Sequence, residues 1–243
     1  MQATDDMIVL GLIGGLFLTC IVTRALDFGG LLAAILIGSI IGFYGHWTWL
    51  ILLLFFLISA SVATRWKYDI KKESGFAEDN EGSRGWRNVL ANGGAPAIAA
   101  ILHHTMGEPG WGAISFSCSV AVALSDTLAS EIGVLDGRTR SIVSLRVVPT
   151  GSNGGMSPTG MLGSALGSSL IAVTAIGLMP SILPSDKIAY ILIISAIGWL
   201  GCQVDSVLGE TLENTGYLGK HSVNFLATSF GAVAGFVSYQ LLL

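Results

Sequence analysis

Long apolar runs separated by short polar segments account for most of this chain. Several runs approach the roughly 20 residues that an α-helix needs to cross a bilayer. We predict membrane-spanning helices at about residues 7–23, 29–45, 47–64, 89–104, 111–131, 159–179, 188–204 and 222–242. Asn92, Gly93, Gly94 and Pro96 interrupt the fourth run, which could be a broken or re-entrant helix, so seven spans are the alternative to eight. The predicted fold class is all-α, a polytopic transmembrane helical bundle.

The composition agrees with this pattern. Hydrophobic residues make up 52% of the chain and charged residues only 12%, and the mean hydropathy is +0.71. A soluble domain carries about 25% charged residues, so we predict a single transmembrane domain over residues 1–243. Cys20, Cys118 and Cys202 stand singly in apolar runs and indicate neither disulfides nor a metal site. Small-residue pairs that predict close helix packing are Gly11/Gly15, Gly38/Gly42 and Gly163/Gly167.

The distribution of charge predicts the orientation. Asp5 and Asp6 precede the first helix and Arg24 follows it, which argues against a cleaved signal peptide and for an outside N-terminus. Eleven of the 12 Lys and Arg residues then fall on one side of the bilayer, and Lys187 alone falls on the other. Because positively charged loops face the cytoplasm, that side, with a basic loop at about 65–88, is predicted to be cytoplasmic.

Paired carboxylates at two helix ends are the first candidates for chemistry. Asp126 and Glu131 end the fifth predicted helix, and Asp205 and Glu210 repeat their spacing at the end of the seventh. Carboxylates in a membrane are costly, so a functional role is the default hypothesis. Such oxygen ligands suit Mg²⁺, which bridges phosphates. Residues five apart do not share a helix face unless the helix unwinds, and an interfacial position in water remains the alternative for each carboxylate.

A glycine-rich segment between the fifth and sixth helices is the second candidate. Its polar and glycine residues are Thr150, Ser152, Asn153, Gly154, Gly155 and Ser157. Backbone N–H groups and the dipole of the next helix could hold phosphates there. The alternative is a tight turn in which Ser157 or Thr159 caps the helix, with Pro158 in its first turn. The spacing alone favours this turn.

The basic loop and the start of the fourth helix supply further candidates. Lys67, Lys72 and Arg84 could clamp phosphates or a lipid head group, although a solvated loop explains the loop's charges equally well. Asn92 needs a hydrogen-bond partner because its amide lies just inside a helix. The sequence contains no G-x-S-x-G, H-E-x-x-H or G-x-G-x-x-G, so hydrolase, zincin and Rossmann interpretations have no support.

Four segments together resemble a known integral membrane family. They are L-A-N-G, S-D-T-L-A-S-E-I-G, P-T-G-S-N-G-G-M-S and D-S-V-L-G-E-T-L-E, in this order. The family includes the plant phytyl-phosphate kinase of the tocopherol pathway and animal transmembrane protein 19, and the likeness runs from about residue 60 to the C-terminus. It is distantly similar to CTP-dependent dolichol and phytol kinases, whose Gly-Asp-x-x-Ala-Ser motif looks like residues Ser125 to Ser130. Ser125 replaces the glycine of that motif, so the phosphate geometry does not carry over.

The resemblance implies a prenyl-phosphate kinase. Such an enzyme transfers a phosphoryl group from a nucleoside triphosphate, such as CTP, to an isoprenoid monophosphate, such as phytyl or geranylgeranyl phosphate. The implied cofactor is Mg²⁺, held by Asp126 and Asp205, which are also the catalytic candidates together with Lys67. Glu131 and Glu210 would support the metal. The residues expected to hold phosphates or nucleotide are Lys72, Arg84, Asn92, Ser130, Thr150, Asn153, Gly154, Gly155, Ser157 and Asn224.

Partners and competing functions follow from the same residues. The expected partners are the prenyl phosphate, the nucleotide and the bilayer, without nucleic acid, and self-association stays open. A cytidylyltransferase that forms a CDP-lipid needs the same apparatus and would release pyrophosphate instead of a nucleoside diphosphate. A transporter or channel could also use helix-end carboxylates and a broken fourth helix. The charges cluster at one membrane level rather than the midplane, which weighs against transport.

Overall fold

The chain forms a bundle of long helices. A computed structural model describes residues 2–77, 82–107, 110–179 and 186–242. Its helices are α1 (Gln2–Thr23), α2 (Phe28–Ile40), α3 (Trp47–Arg65), α4 (Tyr68–Glu73), α5 (Trp86–Met106), α6 (Trp111–Gly133), α7 (Pro158–Leu178), α8 (Lys187–Leu208) and α9 (Lys220–Leu242). Single π-helical turns, Ile41–Gly45 and Gly209–Glu213, continue α2 and α8. Two short antiparallel strands, β1 (Arg140–Ser141) and β2 (Gly155–Met156), lie between α6 and α7. The predicted polytopic helical bundle is confirmed.

The number of membrane-spanning helices is lower than predicted. All eight predicted segments are helical, but within the described residues six helices are long and apolar enough to span a membrane, fewer than the predicted eight or the alternative seven. The two predicted segments outside these six are α5 and α9, which carry polar residues, among them Asn92 in α5 and Asn224 in α9. The helix α5 is nevertheless continuous through Pro96, so the broken-helix alternative is wrong.

The helix α6 forms the centre of the bundle and is buried along most of its length. Three neighbours approach it through glycines. A Cβ atom at Gly167 of α7 would lie 2.7 Å from the Leu124 carbonyl oxygen, and one at Gly231 of α9 would lie 2.9 Å from that of Cys118. On α8, a Cβ atom at Gly201 would collide with the Val122 side chain. These approaches are the close packing that small residues allow between helices in lipid.

Hydrogen bonds between helices add to this packing. Ser119 of α6 donates to the Thr228 carbonyl of α9 at 2.8 Å, and Ser125 donates to the Ser164 carbonyl of α7 at 2.9 Å. A buried hydroxyl without a partner is costly, so these bonds favour one register of α7 and α9 against α6.

Gly167→Ala is expected to destabilise the protein by about 1–3 kcal/mol, because the added methyl group would push the backbones of α6 and α7 apart. Gly11→Ala is the matched control. Gly11 also lies mid-helix, but it has open space around its Cβ position, so its predicted packing role is wrong. Thermal unfolding in one detergent would compare the two variants, and equal melting temperatures would contradict the packing interpretation of Gly167.

Candidate functional site

A polar cavity of about 470 Å³ lies at one end of the bundle, where α6 and α8 end and α5, α7 and α9 begin. Eleven of the residues predicted from the sequence line it: Arg84, Asn92, Asp126, Ser130, Glu131, Asn153, Gly154, Gly155, Ser157, Asp205 and Asn224. The other predicted residues, Lys67, Lys72, Thr150 and Glu210, lie outside its lining. The cavity therefore brings together helix ends and one loop that are far apart in the sequence.

Asp126 of α6 and Asp205 of α8 are the central acidic pair. Both line the cavity, and they lie close enough to interact directly. The Oδ2 atom of Asp205 is buried and has no hydrogen-bond partner within the described residues. A buried carboxylate oxygen without a partner costs free energy. A cation, or a proton shared between the two carboxyl groups, would offset that cost.

The remaining two carboxylates of the predicted metal site are engaged elsewhere. Glu131 accepts a hydrogen bond from Lys71 at 2.6 Å through Oε2, although its side chain also borders the cavity. Glu210 accepts from Ser141 Oγ at 2.5 Å and from the Val143 N–H at 3.2 Å. The structure therefore does not gather the four carboxylates into one ligand set. Glu210 instead attaches the hairpin of β1 and β2 to the end of α8.

The buried ion pair of Lys71 and Glu131 was not predicted from the sequence. Lys71 is fully buried, and its Nζ also donates to the carbonyls of Ala63 at 3.0 Å and Thr64 at 2.7 Å. These carbonyls belong to the last turn of α3, where the helix dipole favours a cation. The ammonium thus joins three elements, α3, α4 and α6. The adjacent Lys72 is exposed, and the sequence carries no signal that distinguishes the two lysines.

The glycine-rich segment is a helix-capping turn and also lines the cavity, so features of both interpretations are present. Ser157 caps α7, because its Oγ accepts a hydrogen bond from the Gly160 N–H at 3.1 Å. The same residue and Asn153, Gly154 and Gly155 line the cavity. Gly154 has a φ of +76° and its Cβ position is filled by Glu210, so a side chain cannot replace it without strain. The turn is therefore a helix cap whose backbone also borders the cavity.

Two residues that were predicted to hold phosphates, Thr150 and Asn92, are hydrogen-bonded to other residues of the protein. Thr150 accepts a hydrogen bond from Thr139 at 3.4 Å and lies behind the lining. Asn92, in α5, donates to the carbonyl of Asn88 at 3.0 Å, one turn earlier in the same helix. Asn88 also lines the cavity, and its spacing of four residues from Asn92 is the signal that could have found it.

The cations at the cavity differ in part from those predicted. Arg84 lines it, whereas Lys67 packs over the Trp66 ring at 4.8 Å and Lys72 is exposed. Lys220, at the start of α9, lines the cavity and lies within electrostatic range of Asp205. Lys220 stands one helical turn before Asn224, and that spacing on one helix face could have identified it.

Asp136 ties the end of α6 to the start of α7. It accepts hydrogen bonds from the Arg138 guanidinium at 2.8 and 3.0 Å and from the Thr159 N–H at 3.2 Å. The Arg138 side chain, with help from the backbone donors, holds the pKa of Asp136 well below its usual range. A carboxylate that is bonded in the folded state contributes stability as long as it stays ionised.

Asp136→Asn is expected to lower the melting temperature at pH 7, and the effect has a defined pH dependence. The stabilisation by ionised Asp136 is fully present above the ordinary carboxyl pKa of 3.8. It is lost as the pH falls through the lower pKa of the folded state, so the difference from the wild type should shrink only below about pH 4. Asp69→Asn, at an exposed site in α4, is the control. A difference that stays constant with pH would contradict the ion-pair role.

The donor set at the cavity fits a magnesium ion better than a metal with an all-protein cage. No group of three or more His, Cys, Asp or Glu side chains in the described parts of the chain is arranged to hold a metal. Mg²⁺ is commonly bound through one or two carboxylates, with waters and substrate phosphates completing the octahedron. Asp126 and Asp205 supply such a pair, and the partnerless Oδ2 of Asp205 supplies a free ligand atom.

Comparison with known proteins places these residues in a family. The chain is 34% identical over 218 residues to an uncharacterised membrane protein of Methanocaldococcus jannaschii, covering 89% of this chain and 87% of that protein. It is 28% identical over 231 residues to the chloroplastic protein VTE6 of Arabidopsis thaliana, covering 92% and 68%, and 29% identical over 216 residues to protein PGR of the same plant, covering 80% and 74%. No solved structure matches the chain significantly. A family model described as integral membrane protein DUF92 matches residues 11–232, and the chain belongs to this family.

Proposed function

We propose that this protein is a membrane-embedded prenyl-phosphate kinase. It would transfer the terminal phosphoryl group of a nucleoside triphosphate, such as CTP, to an isoprenoid monophosphate, such as phytyl or geranylgeranyl phosphate. The observation that carries the proposal is the pair of Asp126 and Asp205, with its partnerless carboxylate oxygen, in one cavity with Arg84 and Lys220. Relatedness to VTE6 and the sequence resemblance to phytyl-phosphate kinase support the same class of reaction.

The chemistry requires charge neutralisation and positioning rather than a strong base. An oxygen of the acceptor phosphate, which is already ionised, attacks the γ-phosphorus, and the bond from the γ-phosphorus to the bridging oxygen of the leaving nucleoside diphosphate breaks. A bound Mg²⁺ would supply charge neutralisation on the phosphates. Asp126 and Asp205 would hold that ion, and Arg84 and Lys220 would bind the acceptor and donor phosphates and fix their alignment.

The turn at 153–157 is suited to hold part of the nucleotide. Its residues Asn153, Gly154, Gly155 and Ser157 line the cavity, so a nucleotide bound there would lie against this turn. We further propose that the cavity faces the cytoplasm, where nucleoside triphosphates are available. The support is the sequence distribution of Lys and Arg, because positively charged loops lie on the cytoplasmic side.

An assay with purified protein in lipid nanodiscs tests this function. It would combine Mg²⁺, each of the four nucleoside triphosphates and a panel of prenyl monophosphates of different chain lengths. The expected result is a prenyl diphosphate with one nucleoside diphosphate formed for each turnover. Release of pyrophosphate would identify a cytidylyltransferase instead, and a panel that remained unchanged with every nucleotide would contradict the kinase proposal.

A further inference from the structure

A second, apolar cleft lies next to the polar cavity. Its volume is about 50 Å³, and leucines dominate its lining, including Leu16 of α1, Leu26, and Leu54 and Leu57 of α3. Leu16 and Leu26 are buried in a small hydrophobic cluster that is separate from the main core around α6. The cleft therefore lies between α1, α2, α3 and α5, and its lining includes no residue of α6.

The two compartments meet at one set of side chains. Arg84, Asn88 and Asn92 line both the polar cavity and the apolar cleft. These residues carry a guanidinium and two amides, and the rest of the cleft wall is mainly apolar. A polar cavity that adjoins an apolar cleft is suited to an amphiphile. Its charged head group would lie in the cavity and its hydrocarbon chain would begin in the cleft.

The backbone holds Arg84 at this junction. Its N–H donates to the Ala25 carbonyl at 3.0 Å, and its carbonyl accepts from the Asp27 N–H at 3.2 Å. The guanidinium donates to Thr64 Oγ1 at 3.3 Å. At Gly30, in the first turn of α2, the Cβ position would collide with the Arg84 carbonyl oxygen. The chain is thus fixed from three elements at the point where cleft and cavity meet.

We propose that the apolar cleft receives the phosphate-proximal part of the isoprenoid chain, with the phosphate at Arg84, Asn88 and Asn92. This inference rests on the proposed function and names the binding site of its lipid substrate. A cleft of this volume holds the first carbons of the chain and leaves the remainder among the lipid tails. The outer face of α1 is suited to that position, because its apolar side chains Leu10 and Leu18 are exposed.

A bulky residue in the cleft tests this placement through substrate affinity. Leu57→Trp should raise the KM for geranylgeranyl phosphate roughly tenfold, because loss of a fitted apolar contact costs about that factor, and should leave the KM for the nucleotide unchanged. A fall in the folded fraction would alter kcat but neither KM. Ile58→Trp is the matched control, since Ile58 is 53% exposed and does not line the cleft. Unchanged KM for the lipid in Leu57→Trp would overturn the inference.

Photolabelling tests the same placement without turnover. The probe is a geranylgeranyl phosphate analogue with a diazirine in its first isoprene unit, added to the wild-type protein in nanodiscs. Adducts on Leu16, Leu54 or Leu57 are expected. Adducts on α7 or α8 would overturn the inference. So would a result in which excess phosphatidylglycerol abolishes the labelling as effectively as excess unlabelled geranylgeranyl phosphate. Cleft labelling without kinase activity would refute the proposed function alone, and kinase activity with labelling on α7 or α8 would refute the cleft alone.

Discussion

Asp205→Asn is expected to lower kcat/KM of the proposed kinase reaction about 10³-fold. Losses of this size are observed when a group that stabilises transition-state charge is removed. The amide is nearly isosteric with the carboxylate but is a poor ligand for Mg²⁺. The same substitution should leave the melting temperature unchanged or raise it, because it removes a carboxylate that lies close to Asp126 with a buried, partnerless oxygen. Loss of activity without loss of stability is the signature of a functional residue rather than a structural one.

Steady-state kinetics and thermal unfolding on the same preparation would measure both effects. Asp186→Asn is the matched control, because Asp186 stands at the opposite end of α8 and caps it by accepting from the Ala189 N–H at 3.1 Å. Asparagine caps helices as well as aspartate does, so this variant should keep both activity and stability. Full activity in Asp205→Asn would mean that the carboxylate does not hold the metal.

Lys71→Met is expected to destabilise the protein by about 3–5 kcal/mol, because it leaves Glu131 buried without its counter-ion. It also removes the donor to the last carbonyls of α3. Lys72→Met, one residue along and exposed, should change the free energy of unfolding by no more than about 0.5 kcal/mol. Thermal or denaturant unfolding in detergent would measure the difference.

The double variant Lys71→Met with Glu131→Gln separates the ion pair from simple packing. Neutral glutamine is less costly to bury than an unpaired carboxylate, so the double variant should be more stable than Lys71→Met alone. If Lys71 had a purely steric role, the losses of unfolding free energy caused by the two single substitutions would add in the double variant. Equal melting temperatures for Lys71→Met and the wild type would contradict the role of the pair.

Much of the fold could be predicted from the sequence because hydrophobic runs and their boundaries are local properties. All eight apolar segments are helices, and Ser157 with Pro158 marks the start of α7 as its cap chemistry requires. Fewer described helices than predicted are apolar enough to span a membrane, and the two predicted spans outside that set, α5 and α9, contribute Asn88, Asn92, Lys220 and Asn224 to the cavity. Polar residues in two of the predicted spans are therefore part of the candidate site.

The shared depth of the candidate residues was predictable, but their individual contacts were not. Alternating topology brings the ends of α6 and α8 to one level, and Asp126 and Asp205 accordingly lie in one cavity. The direction of a side chain from its helix depends on tertiary packing. Glu210 thus bonds to the Ser141 hydroxyl, and Lys71 rather than Lys72 enters the interior. No local pattern distinguishes these outcomes.

A glycine contact between α6 and α8 lies one helical turn from the acidic pair. Gly201 lies one helical turn before Asp205, and Val122, which it contacts, lies one turn before Asp126. Close packing of the two helices thus reaches to within one turn of the carboxylates. A larger residue at position 201 would push α6 and α8 apart there and change the distance between the two carboxyl groups. The separation of Asp126 and Asp205 therefore depends on a residue that has no side chain.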